Sequence, residues 1–237
     1  MYYWLIPLII GFISLLAFLY FRVKEKRVIA VYIKCFTSLM FIATATVAWL
    51  TSKNPNSTFG IFVIAGLFFG MLGDVFLDLK FIVTKKEFLL TAAGFIAFAL
   101  GHIAFILGLF IHYFDFNAHV LYLAIPLGAS AILVLVTLLM EKFSKIRYKK
   151  MKPFVIVYGF ILFFVTTIYL STAIQTKWNV VTIFIMSMSF IAFALSDLIL
   201  NNTYFAPGFS GPAYIISNHT LYYIAQFAIA VSLFFVV

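Results

Sequence analysis

Cysteine and acidic residues are both scarce in this chain of 237 residues. It contains one cysteine and seven Asp and Glu residues, and charged residues of both signs make up only 10% of it. A single cysteine excludes an internal disulfide and a cysteine-based metal site, so we interpret Cys35 as a small core residue. Because a soluble domain carries roughly 25% charged residues, this composition excludes an ordinary soluble protein.

Motifs of several enzyme classes are also missing. The chain has no G-x-S-x-G, H-E-x-x-H, Walker A or G-x-G-x-x-G motif. His112 and His119 flank a predicted external loop that contains Asp115, which is only a weak metal signal. We therefore expect neither a metal nor a cofactor, and we expect any chemistry to be carried by carboxylates together with Lys, His or Tyr side chains.

Long apolar windows fill most of the sequence. Hydrophobic residues make up 65%, and the clustering of charges leaves windows that can hold the roughly 20 apolar residues of a membrane-spanning helix. We predict an all-α fold: a polytopic membrane helix bundle of about eight transmembrane helices, forming a single transmembrane domain over residues 1–237. The predicted helices lie near 3–21, 29–51, 59–80, 86–111, 118–140, 153–174, 178–200 and 213–236.

Positive charge is distributed unevenly between the predicted loops. The formal net charge is +9, and 13 of the 16 Lys and Arg residues follow predicted helices 1, 3 and 5. The loops on the other side hold only Lys53 and Lys177. An excess of Lys and Arg marks the cytoplasmic side, so we predict an integral protein of the cell (inner) membrane with both termini outside. Topology and attraction to anionic membrane lipids explain the basic charge, and no nucleic-acid partner is expected.

An acidic motif recurs at the ends of two predicted helices. Predicted helix 3 ends Leu-Gly-Asp-Val-Phe-Leu-Asp over residues 72–78, and predicted helix 7 ends Leu-Ser-Asp-Leu-Ile-Leu-Asn over residues 195–201. The two helices hold equivalent places in two halves of four helices each, which would suit a parallel repeat. A duplication and a coincidence both stay open at this point.

The aspartates of this motif are costly to place in a membrane. An intramembrane carboxylate costs about 2.5–3.5 kcal/mol on insertion scales and commonly marks a functional site. Residues four apart share a helix face, so Asp74 and Asp78 point the same way, as do Asp197 and Asn201. From the helical rise, Asp74 lies roughly 9 Å inside the cytoplasmic end of helix 3, and Asp197 about one turn inside the matching end of helix 7. Asp74 and Asp197 are therefore predicted at similar depth, where the two could meet.

Other polar residues are predicted at the same level. Lys34, Tyr158 and His219 lie near the cytoplasmic starts of predicted helices 2, 6 and 8. Each has a structural alternative: Lys34 can snorkel to the interface, Tyr158 can belong to an interfacial aromatic belt, and His219 can be a hydrogen-bonded packing residue. Asp78 and Asn201 lie close enough to the boundary to be solvated helix ends.

His102 is harder to place. Counted from residue 86, it lies about 24 Å along predicted helix 4, in the outer half of the bilayer. It is either a polar group of a deep cavity or a buried histidine bonded to a neighbouring carbonyl, and a tilt of the helix would bring it nearer the aspartates. Gln226 is predicted to be a buried hydrogen-bonding residue of the last helix.

Five segments together resemble the lysoplasmalogenase (YhhN-like) family of eight-helix membrane proteins. They are YIKCFTSLM, GMLGDVFLDL, FALGHIAF, FALSDLIL and YYIAQFAIA, and they occur in this order over most of the chain. The resemblance implies a hydrolase that cleaves the vinyl ether of lysoplasmalogens to a fatty aldehyde and glycerophosphoethanolamine or glycerophosphocholine. It also implies that Asp74 and Asp197 are paired acidic positions, with Lys34, Asp78 and His102 as accessory polar positions.

Two carboxyl groups suit that reaction. Protonation of the vinyl ether at the carbon β to oxygen gives an oxocarbenium ion, water adds, and the hemiacetal collapses to aldehyde and alcohol. We expect one of Asp74 and Asp197 to be the general acid and the other to activate water or stabilise the cation, and the sequence leaves the assignment open. The expected partner is a lysophospholipid with its tail among Phe-rich helices and its phosphate near Lys34 or the basic loops.

Three other functions compete with this one. A proton-coupled transporter would also use intramembrane aspartates, although few Gly or Pro residues interrupt the predicted spans. An intramembrane aspartyl protease pairs two helix-borne aspartates, but residues 71–74 read Met-Leu-Gly-Asp instead of Gly-x-Gly-Asp. A structural or lipid-binding membrane protein would leave both aspartates dispensable for turnover.

Overall fold

Eight α-helices form the computed structural model, which describes residues 2–55, 57–209 and 211–236. These residues contain no strand, so the predicted all-α fold is confirmed. The helices are α1 (Leu5–Val23), α2 (Arg27–Leu50), α3 (Thr58–Leu79), α4 (Glu87–His112), α5 (Leu121–Phe143), α6 (Lys152–Gln175), α7 (Val181–Phe205) and α8 (Pro212–Ser232).

Seven of the helices in the described residues are long and apolar enough to cross a membrane, so the chain is a membrane protein. The exception is α8, which has sufficient length at 21 residues but carries polar residues such as Asn218, His219 and Gln226. These residues lower its hydropathy. α8 packs against α1, α2, α3 and α7, and Asn218 and Gln226 are buried, so the polar side of this helix faces protein rather than lipid.

Helices adjacent in sequence pack together as four pairs: α1 with α2, α3 with α4, α5 with α6, and α7 with α8. In addition, α2 contacts α3 and α8, whereas α6 contacts α7 and α4. When each helix is exchanged with the helix four places away in the chain, so that α1 takes the place of α5 and α2 that of α6, the same set of contacts results. A repeat of two four-helix halves requires this. One difference is that α1 contacts α8, whereas α5 makes no comparable contact with α4 in the described residues. A cleft lies beside α7 on that side.

Glycines allow α3 and α4 to approach closely. A Cβ atom at Gly101 would lie 2.8 Å from the carbonyl oxygen of Gly66, which is closer than non-bonded atoms tolerate. Small residues at such interfaces let membrane helices pack with their backbones near each other. A different side of α3 carries Asp74 and Asp78, whose side chains reach α2 and α8.

α7 continues to Phe205, beyond the predicted end near residue 200. The polar residues after Leu200 do not stop the helix, because they bond the preceding turn: the Asn202 side chain donates to the Leu198 carbonyl at 2.9 Å. Asp197 therefore lies about 12 Å inside this helix end, not one turn inside it. Asn201 lies within the helix, so its interpretation as a helix end is wrong.

Cys35 is half-buried on α2 rather than part of the core, and the prediction of a core residue is wrong. Consecutive residues of an α-helix are separated by about 100° around its axis. Lys34 and Ser38 occupy the face that points into the bundle, so Cys35 is rotated away from it.

Candidate active site

Asp74 accepts contacts from three side chains on two neighbouring helices. Its Oδ2 accepts hydrogen bonds from Ser38 Oγ at 2.7 Å and from the Tyr222 hydroxyl at 2.8 Å. Lys34 Nζ lies 3.1 Å from Oδ1. Asp74 is only 2% exposed, and a buried polar group is destabilising unless it finds such partners. The surroundings of Asp74 therefore suit a negative charge.

Asp78 lies one turn further along α3 and shares Lys34 with Asp74. Lys34 Nζ is 3.2 Å from Asp78 Oδ1, and Arg22 Nη2 from α1 is 2.5 Å from the same oxygen. Two carboxylates and two cations thus balance each other in the interior. Asp78 is 2% exposed and Lys34 is 4% exposed, so the interpretations as a solvated helix end and as a snorkelling lysine are both wrong.

A cavity of about 380 Å³ opens beside this ion-pair network, at the ends of α1, α3 and α7 and the start of α8. Arg22, Asp78 and His219 contribute to its wall. The His219 ring packs edge-on against Phe18, with 4.9 Å between the ring centroids. The cavity gives solvent a route toward Asp78, whereas Asp74 is not part of its wall.

Asp197 has a different environment on α7. It accepts a hydrogen bond from the Tyr158 hydroxyl of α6, and no Lys or Arg pairs with it in the described residues. Both side chains line a cleft of about 60 Å³ whose wall is mainly aliphatic and aromatic, formed by α5, α6 and α7 with Phe95 of α4. Tyr158 is 8% exposed, so its placement in an interfacial belt is wrong. Asn201 lines the same cleft.

His102 is buried next to the partner of Asp197. Its Nδ1 lies 2.6 Å from the Phe98 carbonyl oxygen one turn earlier in α4, so Nδ1 carries a proton and donates it. Nε2 has no partner among the described residues. The His102 ring centroid is 5.7 Å from that of Tyr158 and 4.8 Å from that of Phe193. The structure thus places His102 beside the cleft, bonded to a neighbouring carbonyl.

Aromatic side chains lie between the surroundings of Asp74 and those of Asp197. The Phe98 ring centroid is 6.0 Å from that of Tyr222, which bonds Asp74, and 6.4 Å from that of Tyr158, which bonds Asp197. No hydrogen bond or ion pair joins the two carboxyl groups in the part of the chain that the structure describes. The two aspartates therefore make no direct contact in the described residues, and the Phe98 ring lies between their hydrogen-bond partners.

Three polar residues of these sites were not identified from sequence: Arg22, Ser38 and Tyr222. Ser38 follows Lys34 by four residues and so shares its helix face, a signal that was available. Tyr222 lies one turn before Gln226, whose buried amide donates to the Tyr222 hydroxyl at 2.9 Å, as predicted of a buried hydrogen-bonding glutamine. Nothing in the sequence separates Arg22 from the other cations of the first basic loop.

Comparison with known proteins places the chain in a family. A model of the YhhN family matches residues 29–233. This range includes all five resembling segments and every candidate site residue from Lys34 to His219, but not Arg22. No match was found among curated proteins or among solved structures. Since the family model matches most of the chain, the protein belongs to the YhhN family.

Proposed function

We propose that the chain is a membrane-embedded hydrolase that cleaves the vinyl ether bond of a lysoplasmalogen or a related single-chain lipid. One observation carries the proposal: a carboxyl group, that of Asp197, lies on the wall of a mainly apolar cleft inside a membrane protein. An intramembrane carboxyl group without a cation partner is costly and commonly marks a functional site. The cleft is small, so most of a long hydrocarbon chain would extend from it into the bilayer.

The reaction needs one proton donor and one molecule of water. A carboxylic acid transfers its proton to the vinyl carbon β to the ether oxygen, and the double-bond electrons move to form an oxocarbenium ion. Water adds to the carbon next to oxygen and loses a proton, which restores the acid. The hemiacetal then breaks its bond to the glycerol oxygen, which leaves a fatty aldehyde and a free glycerol hydroxyl. General acid catalysis of this kind contributes about 10²–10⁴-fold to a rate.

The surroundings of the two aspartates suggest different roles. A charge on Asp74 is balanced by Lys34 and stabilised by Ser38 and Tyr222, whereas a charge on Asp197 would have no cation beside it. We assign the proton donor to Asp197 and the anion that stabilises the cationic intermediate or activates water to Asp74. Because Phe98 lies between their partners, this assignment requires the ring to move when the lipid binds.

The remaining candidate residues divide between the two environments. Tyr158 and Asn201 line the cleft with Asp197, and we assign them, with His102, to substrate binding. Lys34 and Asp78 lie in the ion-pair network, and His219 lines the cavity beside it. For these three the geometry favours support of Asp74 over direct contact with the lipid.

The proposal is tested with purified protein in detergent and a C18 lysoplasmalogen, following the release of aldehyde over time. Wild type is compared with Asp74→Asn, Asp197→Asn and Asp115→Asn. Asp115 is an exposed aspartate in the loop between α4 and α5, and its Oδ1 accepts a hydrogen bond from the backbone N–H of Asn117. Asp115→Asn therefore makes the same chemical change away from the site. We expect release by wild type and Asp115→Asn, and a fall of about 10²–10⁴-fold in Asp197→Asn.

Gel filtration and thermal unfolding of each variant separate lost chemistry from lost folding. A folded wild type that releases no aldehyde contradicts the proposal. Full activity in both Asp74→Asn and Asp197→Asn would mean that these residues stabilise the bundle and take no part in the reaction.

A proton-coupled transporter is the second candidate. The observation in its favour is the cavity of about 380 Å³ that reaches Asp78, next to the ion pairs with Lys34 and Arg22. Proton-dependent uptake by reconstituted vesicles, without lipid cleavage, would support this candidate over the hydrolase.

A further inference from the structure

A second and larger cavity lies near the apolar cleft, at the ends of α3, α5 and α7 and the starts of α4 and α6. It has a volume of about 710 Å³, and we call it the basic vestibule. Five cationic side chains contribute to its wall against a single carboxylate, that of Glu87. The cations are Lys80, Lys145, Arg147, Lys149 and Lys150. The vestibule is therefore an electropositive cavity.

None of the five cations makes an ion pair with a carboxylate in the described residues. The Arg147 guanidinium donates to three carbonyl oxygens at the end of α5 and in the loop that follows it, those of residues 141, 144 and 146, and so holds the loop in shape. In the described residues no lysine of the vestibule lies within ion-pair distance of Asp or Glu. Lys145, Lys149 and Lys150 are exposed, and their ammonium groups are available to an anion.

Lys80 is the buried cation of the vestibule, at 7% exposure. Its Nζ lies 3.1 Å from the centroid of the Tyr204 ring, a cation–π contact. Burial lowers the pKa of Lys80 to about 7, although Glu87 and Asp78 oppose the effect. A bound anion would stabilise this ammonium, because no carboxylate lies within ion-pair distance of it in the described residues.

Tyr204 and Phe205 line both the vestibule and the cleft that contains Asp197. The two cavities are therefore adjacent to each other at the end of α7. A molecule that fills both would place an anionic group among the lysines and an apolar chain beside Asp197.

The spacing of the two cavities along α7 fits a particular class of lipid. Asp197 precedes Tyr204 by seven residues, which corresponds to about 11 Å along the helix. In a glycerophospholipid with a vinyl ether on the terminal glycerol carbon, seven bonds separate phosphorus from the carbon that is protonated. At about 1.2 Å of extended chain per bond, this is about 8 Å. A phosphate just inside the vestibule thus places that carbon near Asp197.

We propose that the basic vestibule binds the phosphate of a single-chain glycerophospholipid whose vinyl ether lies at Asp197. This inference rests on the proposed function and adds a head-group site to it. The site requires a phosphate and a glycerol spacer, and so distinguishes a lysophospholipid from a neutral alkylglycerol with the same chain.

Equilibrium binding separates this site from the reaction. The probes are a non-hydrolysable 1-O-alkyl lysophosphatidylcholine, the matching 1-O-alkylglycerol without phosphate, and inorganic phosphate alone. The test variant is Lys149→Gln/Lys150→Gln. The matched control is Lys24→Gln/Lys26→Gln, which removes the same charge from exposed positions of another basic loop outside the vestibule.

We expect Lys149→Gln/Lys150→Gln to weaken binding of the alkyl lysophosphatidylcholine about tenfold, since each basic residue near an anionic group contributes modestly and salt screens it. Binding of the alkylglycerol should not change, and the control variant should behave as wild type. Equal losses in the test and control variants, or no loss in either, would overturn the head-group site. Binding of inorganic phosphate as tight as that of the lipid would also overturn it, in favour of a site for free phosphate.

The binding result is independent of turnover. Selective binding of the phosphate-bearing lipid by a protein that releases no aldehyde would reject the proposed hydrolase and keep the head-group site. Aldehyde release by a protein that binds both lipids equally would keep the hydrolase and reject the site.

Discussion

Lys34 lies between two carboxyl groups on one face of α3, and its ammonium contacts both. The contacts are 3.1 Å to Asp74 and 3.2 Å to Asp78, with Arg22 supplying the second cation. A buried ion-pair network contributes little net stability compared with apolar packing, but removing one partner leaves a charge uncompensated. The role of Lys34 is therefore to allow two adjacent carboxylates to coexist away from water.

Replacing Lys34 with methionine should destabilise the bundle by roughly 3–5 kcal/mol, because Asp74 and Asp78 would face each other without the shared cation. The double variant Lys34→Met/Asp74→Asn should be more stable than Lys34→Met alone, since Asp78 keeps Arg22. Thermal unfolding in detergent measures both. Lys34→Met as stable as wild type would show that Lys34 does not stabilise the two carboxylates. A double variant whose loss of stability equals the sum of the losses in the two single variants would show that Lys34 and Asp74 are not coupled.

Lys80 makes head-group binding depend on pH. Its pKa is lowered to about 7 by burial, so the ammonium is present at pH 6 and largely lost at pH 8. Affinity for the alkyl lysophosphatidylcholine, whose phosphodiester does not titrate in this range, should therefore fall as pH rises, by up to about tenfold. The charged and aromatic groups that face Lys80 come from α1, α2, α3, α4 and α7: Arg22, Lys34, Asp78, Glu87 and Tyr204.

The control for this pH effect is Lys80→Met, which should bind more weakly at pH 6 and show a flat profile between pH 6 and pH 8. A flat wild-type profile would show that titration of Lys80 does not affect binding in this range. A Lys80→Met profile that keeps the wild-type slope would assign the pH effect to another group.

At the scale of single residues, the sequence predicts local geometry but does not predict partner side chains that come from other helices. The spacing of Asp74 and Asp78 predicts a shared face, and both do reach Lys34. Tyr222 is 148 positions from its partner Asp74, and no local pattern indicates that contact. The boundary interpretation of Asp78 was wrong because Arg22, from outside the motif, reaches it and allows its burial.

The close contact of α3 with α4 sets the position of the acidic face of α3. Gly101 of α4 lies directly against the backbone of α3 at Gly66. Gly128 of α5, in contrast, has no atom near the place where a Cβ would lie. A comparison of substitutions at these two helical glycines therefore separates the effect of helix–helix packing from the intrinsic helix preference of the residue.

Gly101→Ala should destabilise the protein by about 1–3 kcal/mol, because the new methyl group forces the two backbones apart. Gly128→Ala should be neutral or stabilising by up to about 1 kcal/mol, since alanine favours a helix over glycine. Thermal unfolding of the two variants measures the difference. Equal stability of the two variants would mean that α3 and α4 move apart without loss of stability. It would also mean that the close contact between these helices does not position Asp74.

Helix existence was predictable from apolar windows, but helix ends were less so. All eight predicted helices are present, because their apolar windows are long enough for a membrane span of about 17–25 residues. The end of α7 was misplaced because polar residues such as Asn202 bond the preceding turn and continue the helix. That extension matters for the site, because it carries Tyr204 and Phe205 to the walls of both the cleft and the vestibule.

On the scale of the whole molecule, two halves with equivalent helix contacts carry unequal sites. Asp74 is held by α2 and α8, and Asp197 by α6 with α4 close by, which are matching positions in the two halves. In the first half the carboxyl group is surrounded by ion pairs, whereas in the second a cleft remains. Only the short motif containing the two aspartates signalled this repeat in the sequence.

The distribution of Lys and Arg predicts that both termini lie outside the cell membrane. In a Cys35→Ser background, single cysteines at Lys53, Lys177 or Lys24 test this, and all three lysines are exposed. Lys53→Cys and Lys177→Cys should react with a membrane-impermeant maleimide on intact spheroplasts, and Lys24→Cys only after permeabilisation. The reverse pattern would invert the topology and place the basic vestibule outside.

The most direct test of the central claim is the position of deuterium in the aldehyde released from a lysoplasmalogen in D2O. Protonation at the β-carbon by an exchangeable carboxylic acid predicts one deuterium at C2 of the aldehyde by mass spectrometry. Wild type and Asp115→Asn should release this labelled aldehyde at the same rate, and Asp197→Asn about 10²–10⁴-fold more slowly. Cleavage at an ester or phosphate bond, or labelled aldehyde from Asp197→Asn at the wild-type rate, would contradict an intramembrane vinyl ether hydrolase with Asp197 as its acid.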